Sequence, residues 1–223
     1  RLSWPVVGSL KGLPPLAMAI LKLLPLHWIA QPPRLQAELV AELPQGGLKG
    51  SAPLTWWAAG LYGGLLRRQL LHLRTSPKTP LVGALIQELV AGLRKEPWTQ
   101  PPLLVPIPSW KRQGNPLPAL LSRCLAWQLD WRQEPLLLRS RPVLGQHHLG
   151  RELRWANQAG AFRCSSPLTG QRRPVLLIDD ILTTGATACA AAAALGERGW
   201  LVAGMVCLGK TPRRDRDLRS TSR

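Results

Sequence analysis

The chain has 223 residues, enough for one α/β domain with a sizeable core and a short appendage. Twenty-nine Lys and Arg against twelve Asp and Glu give a formal charge of +17, which disfavours cationic ligands and suits nucleic acid, phosphorylated nucleotides or an anionic membrane surface. Cys124, Cys164, Cys189 and Cys207 are widely separated and form no Cys-x-x-Cys pair, which speaks against a zinc knuckle and fits a reducing cytoplasm.

Leu13 to Ala30 is apolar but carries Lys22 and three prolines, so no membrane span is expected, and no leader with a cleavage site is visible. Residues 1–50 are rich in Leu, Pro and Gly. Within them Arg34 to Leu43 predicts a short helix with Leu35, Leu39 and Leu43 on one face, and 45–50 reads as a linker. The organised part begins near Trp56. Leu65, Leu66, Leu70 and Leu73 have helical spacing, and Leu81, Leu85, Leu89 and Leu93 recur every four residues; both predict packing helices with solvated basic faces.

Leu103 to Pro108 predicts a buried strand closed by prolines, followed by a basic loop that holds Ser109, Lys111 and Arg112. A helix is expected from about Pro118 to Leu129, and a short strand at Leu136 to Leu138. Arg139, Arg141, Gln146, His147, His148, Arg151, Arg154 and Asn157 then crowd a polar stretch that suits a flap over a site; an ordinary solvated helix over Leu149 to Ala159 is the plainer alternative. Ala161 to Cys164 and Leu201 to Leu208 read as strands. From Gly209 the chain is charged without an apolar face, which predicts a disordered basic tail. The expected division is an N-terminal segment 1–53, a domain 54–209 and a tail 210–223. Trp127, Trp131 and Trp200 fall on elements that would bury them, and so do Cys189 and Cys207.

The densest stretch lies late in the chain. Val175 to Ile178 is an unbroken apolar run bounded by Pro174 and by Asp179 and Asp180, which reads as a strand buried on both faces. Thr183, Thr184, Gly185, Ala186 and Thr187 follow, and 188–195 is almost pure alanine, the best helix former. A loop that opens a helix aims backbone N–H groups and the positive end of the helix dipole at one spot. The threonines add hydroxyls, and Gly185 allows a tight turn. That is a cradle for one phosphate. Carboxylates repel phosphate but accept hydrogen bonds from sugar hydroxyls. Asp179 and Asp180 beside 183–187 therefore describe a site for ribose 5-phosphate. A plain helix N-cap at Asp180 or Thr183 accounts for less, because it leaves the adjacent acids unexplained.

Residues 175–187 resemble the 5-phosphoribosyl-1-pyrophosphate (PRPP) motif of type I phosphoribosyltransferases. The wider layout adds Val105-Pro106-Ile107-Pro108, the basic loop, Arg139-Ser140-Arg141, Gln146-His147, and Asn157 ahead of Ala161-Phe162. Over roughly residues 54–210 it is similar to the ComF family of competence-related, phosphoribosyltransferase-like proteins. Two features depart from that family. Arg112-Gln113-Gly114-Asn115-Pro116 stands where Arg-Gly-Phe-Asn-Gln is usual, and the four-cysteine zinc module often found at the family's N-terminus is lacking.

The resemblance implies an open parallel sheet with helices on both faces and a small hood. It implies displacement of pyrophosphate from C1 of PRPP by a nitrogen nucleophile, through a transition state of oxocarbenium character. Mg²⁺ would bridge the pyrophosphate and ribose hydroxyls, with no metal ligand assigned to the protein itself. Ser109, Lys111 and Arg112 are candidates for the pyrophosphate side, and Arg139, Arg141 and Arg151 for the hood. No catalytic base is assigned; His147 and His148 suit surface or hydrogen-bonding roles better.

Two functions compete. One is a cytoplasmic phosphoribosyltransferase with an unknown acceptor. The other keeps the fold without catalysis, as a PRPP sensor or a binder of single-stranded DNA or the competence machinery, to which the positive charge and ten tryptophans would contribute.

Overall fold

A computed structural model describes residues 34–75, 77, 80–109, 114–141, 151–165 and 173–212. In chain order the elements are α1 (Arg34–Ala41), β1 (Leu48–Gly50), β2 (Trp56–Leu61), α2 (Gly64–Leu73), α3 (Pro80–Arg94), β3 (Leu103–Pro106) and α4 (Leu117–Leu129). Then come β4 (Leu137–Arg139), α5 (Arg151–Gln158), β5 (Phe162–Cys164), β6 (Val175–Ile178), β7 (Ile181–Leu182), α6 (Ala186–Gly196) and β8 (Val202–Lys210). The central sheet has the order β1-β2-β8-β6-β3, with β7 paired to the end of β8. Strands β2, β8, β6 and β3 are parallel to one another, and β1 is an antiparallel edge. A separate antiparallel ribbon joins β4 to β5.

The period of two along the strands sends alternate side chains into two cores. Leu104, Leu176, Ile178, Val206 and Leu208 join one core with the stripes of α2, α3 and α4. Val105, Leu177, Met205 and Cys207 join the other, beneath α6 and the β4–β5 ribbon. Every residue of β3 and β6 is buried, which is why both read as continuous apolar runs. The four-residue stripe of α3 is realised: Leu81, Leu85, Leu89 and Leu93 are all sealed in the first core, each contributing about 1.5–3 kcal/mol by burial. Helices thus cover both faces, as the resemblance implies.

This layering fixes where a ligand can sit. The connection leaving β3 runs through α4 on one face, and that leaving β6 runs through α6 on the other. Between adjacent strands whose connections part in this way, a crevice opens outside their carboxyl ends. Asp179, Asp180 and the loop after β3 stand at that crevice.

Four expectations differ from the structure. The run 45–50 is not a linker: Gly46 and Gly47 take positive φ, and Leu48–Gly50 then pairs with β2. With Leu39 and Leu43 in the first core, residues from Arg34 onward belong to the same domain as β2, so the division at 53 and 54 does not hold. At the other end β8 runs to Lys210, which pairs with Leu61 and Leu182, so Gly209 and Lys210 are sheet rather than tail; residues 213–223 lie outside the described residues. Trp127 faces solvent from α4 at 62 % exposure, and Cys189 is half-buried, because each lies off the apolar stripe of its helix. Trp131 and Trp200 are half-buried and Cys207 is fully buried. Within the expected flap, Arg151–Gln158 is helical, as the plainer alternative had it. Among the described residues no helix is long and apolar enough to cross a membrane.

Candidate functional site

Strand β6 delivers the acidic pair to the crevice, and the two acids divide. Asp180 is 3 % exposed. One of its oxygens, Oδ2, accepts from Arg74 Nε at 2.6 Å and from Asn115 Nδ2 at 2.7 Å. Its carbonyl accepts the N–H groups of Leu208 at 2.9 Å and Gly209 at 3.1 Å. Its own N–H donates to Asp179 Oδ1 at 2.9 Å. Asp179 is half-buried as a residue, against the near-complete burial of Asp180, while its carboxyl group is closed in by the surrounding protein.

The electrostatics follow from that packing. Burial, then the charge of Asp180, hold the Asp179 carboxyl well above the usual carboxylate range; Arg74 offsets this only in part. Burial opposes the charge on Arg74, but the hydrogen bond and charge of Asp180 outweigh it and hold the guanidinium above its ordinary value. Burial pushes Arg139 down, and the charge of Asp179 counters it. Asp179 therefore feels a cation from each of two separate elements.

The loop after the acids has the geometry of a helix-opening anion cradle. Gly185 is the N-cap of α6 at φ +86°, a conformation that favours glycine, and no side chain caps the helix there. Thr184 Oγ1 accepts the Ala186 N–H at 3.4 Å. Asp179, Thr183, Gly185 and Thr187 line a hollow of about 10 Å³. That is room for one water, so a phosphate would be taken at its mouth. Beneath the loop the Lys210 ammonium donates to the Thr183 carbonyl at 3.2 Å and the Thr211 carbonyl at 2.8 Å. Lys210 also forms one wall of a cavity of about 360 Å³ with Trp56, Leu61 and Ser51–Ala52.

Of the predicted residues, Asp179, Asp180, Thr183, Thr184, Gly185, Ala186 and Thr187 come together as one unit. Ser109 is exposed at the carboxyl end of β3, while Lys111 and Arg112 lie outside the described residues. Arg139 feels the charge of Asp179, but its contacts lie elsewhere: its Nε donates to the Pro108 carbonyl at 3.0 Å, its Nη1 to Gln158 Oε1 at 3.3 Å, and its guanidinium lies 4.1 Å from the Phe162 ring centroid. Arg141 is occupied elsewhere. Its Nη2 donates to the carbonyls of Asn157 at 3.1 Å and Ala159 at 2.6 Å, closing the C-terminus of α5. Arg151 opens α5; its side chain, and Gln146, His147 and His148, lie outside the described residues. Sequence reasoning missed Arg74, Asn115 and Lys210. Arg74 looked like one of several basic residues around an apolar stripe, and nothing local ties it to an acid 106 positions away. Among the described residues no cluster of three His, Cys, Asp or Glu could hold a metal.

No family model matches the chain. Its curated relatives are more informative. The chain is 32 % identical over 154 residues to the DNA utilization protein YhgH of Salmonella typhi, covering 66 % of each chain. To the protein of the same name from Escherichia coli K12 it is 31 % identical over 155 residues, covering 64 % of this chain and 66 % of that one. The chain belongs to the ComF family. The alignments span just under two thirds of the relatives' own length. Two adenine phosphoribosyltransferase structures are also similar. That from Leishmania tarentolae has a TM-score of 0.40 at 22 % identity over 66 % of each chain. That from Leishmania donovani has 0.42 at 18 % identity over 78 % of this chain and 80 % of that one. Nothing about site or activity follows from likenesses at that level. The ComF-family fold seen here is the expected one: a mostly parallel sheet, covered by helices on both faces.

Proposed function

We propose that this ComF-family protein binds PRPP or a related ribose 5-phosphate ligand in the crevice at the carboxyl ends of β6 and β3. The observation that carries the reading is the adjacency of the acidic pair to the N-terminus of α6, where Asp179 lines one hollow with Thr183, Gly185 and Thr187. The 5-phosphate takes the helix-opening N–H groups and threonine hydroxyls, and the ribose diol donates to the acidic pair. The β3–α4 loop, with Ser109, Lys111 and Arg112, takes the pyrophosphate. Mg²⁺ fits as an ion carried by the ligand's own phosphate and ribose oxygens, because it keeps several waters and needs few protein ligands; bound there, it would neutralise the pyrophosphate. A soluble cytoplasmic setting and a role in DNA use, as the relatives' name has it, complete the reading.

Calorimetry with PRPP and Mg²⁺, followed by a pyrophosphate-release screen across nucleobases and amines, tests it. Saturable binding with pyrophosphate release marks a transferase. Failure to bind PRPP or ribose 5-phosphate removes the assignment. The burial of Asp180 under Arg74 and Asn115 favours a second reading, in which the fold binds PRPP without turning it over. Tight PRPP binding with no acceptor-dependent release would select it.

A further inference from the structure

The cation closest to the acidic pair is one that no motif names. Arg74 leaves the end of α2 and spends a single donor, Nε, on Asp180. Among the described residues its two Nη groups donate to nothing, and its side chain keeps 31 % of its surface in solvent. A guanidinium held at Nε presents its Nη groups as a fixed planar fork, the geometry that takes two oxygens of a phosphate at once.

Its position says which phosphate. Arg74 Nε and Asn115 Nδ2 bond the same oxygen of Asp180, so Arg74 lies at the root of the β3–α4 loop. Asn115 fixes that root further, because its Oδ1 accepts the Leu117 N–H that opens α4 at 3.2 Å. Among the described residues the loop 183–187 makes no hydrogen bond with Arg74; it is backed by Pro53 and Lys210. A purely structural explanation is weaker. An ion pair with one buried partner is a poor source of net stability, and it does not require an arginine whose outer edge reaches solvent.

We infer that Arg74 is an anion-binding residue of this site, on the pyrophosphate side, oriented by Asp180. Asp180 then serves to aim Arg74, and Asp179 carries the larger share of ribose recognition. The inference rests on the proposed ribose 5-phosphate site, and three titrants separate the two. Ribose 5-phosphate, inorganic pyrophosphate, and PRPP with Mg²⁺ are titrated calorimetrically into the wild type, Arg74→Gln and Arg74→Lys. Arg74→Gln should lose about 10-fold or more in affinity for pyrophosphate and PRPP, and change by less than about 2-fold for ribose 5-phosphate. Arg74→Lys keeps the charge without the fork, and should recover part of the loss. It also decides the matter if Arg74→Gln fails to fold: pyrophosphate affinity equal to the wild type's would overturn the role. Equal weakening of all three ligands by Arg74→Gln would make Arg74 a structural anchor of Asp180 and overturn the inference. A wild type that binds pyrophosphate through Arg74 but ignores ribose 5-phosphate would sink the proposed site and leave Arg74 as an anion ligand.

Discussion

Gly185 packs against the ring of Pro53, so closely that a Cβ there would overlap the proline's Cγ and Cδ. The contact ties the β1–β2 connection to the loop 183–187. It gives the glycine a second reason besides its turn, because a side chain at 185 would meet the proline. Gly185→Ala should therefore cost about 1–2 kcal/mol for the left-handed backbone alone, with a further loss from the overlap. Combined with Pro53→Ala, the second loss should shrink. Urea unfolding of the single and double variants measures the coupling, and strict additivity would show that the contact carries no energy.

Lys210 supports the same loop from below. Lys210→Met keeps the apolar stem but strips the Thr183 and Thr211 carbonyls of their donor. We expect a loss of about 1–3 kcal/mol in stability and weaker ribose 5-phosphate binding through a looser loop. Wild-type affinity in a folded Lys210→Met protein would mean that the lysine only fills space.

The raised pKa of Asp179 makes two pH-dependent predictions with a definite sign. Folding raises this pKa above its unfolded value, so the protein gains stability at low pH and loses it as pH rises through the folded value. Asp179→Asn should accordingly melt higher than the wild type at pH 8, and the gap should close toward pH 4. A ribose diol prefers the ionised carboxylate, so binding should release protons over the same window. Calorimetry in buffers of different ionisation enthalpy reads that release, and Asp179→Asn should abolish it.

The proposed hood starts from a fixed ribbon. Arg139 sits in the β4–β5 ribbon, whose register with Phe162 and Cys164 is fixed by hydrogen bonds. Amides of the ribbon should be protected from exchange in the empty protein, while those of α5 gain protection with PRPP and Mg²⁺. Arg141→Ala should speed exchange in the last turn of α5, where the lost cation is worth about 0.3–1 kcal/mol. Full protection of α5 without ligand would leave it a rigid structural helix.

The extension of β8 moves the cut that a truncation should use. Removing 213–223 takes away Arg213, Arg214, Arg216, Arg219 and Arg223 against Asp215 and Asp217. The remaining protein should fold and show a shallower salt slope for single-stranded DNA binding, by up to about 0.7 per lost phosphate contact. Cutting at Gly209 should unfold it, because Gly209 and Lys210 pair with β2 and β7. A well-folded product of that cut, by circular dichroism, would contradict the sheet pairing.

Much of the candidate site was legible because its chemistry is local. Val175 to Thr187 needs no other part of the chain to read as strand, acids, loop and helix: burial on both faces makes the strand uniformly apolar, and the turn demands a glycine. The stripe of α3 was legible for the same reason, since its period of about 3.6 is written in consecutive turns. Strand β1 was not. Three residues with one exposed lysine have no periodicity to show, and pairing with β2 alone makes them a strand.

By itself, then, the sequence determined the family, the strand–loop–helix unit, the acidic pair and the surplus of positive charge. What the two acids do was decided by tertiary structure. The order β8-β6-β3 sets Asp180 between Arg74 and Asn115, drawn from 106 and 65 residues away. A carboxylate's partners are whatever the packed sheet brings within about 3 Å, and sequence distance does not encode that. The same packing encloses the Asp179 carboxyl beside the charge of Asp180 and keeps its proton on to a higher pH.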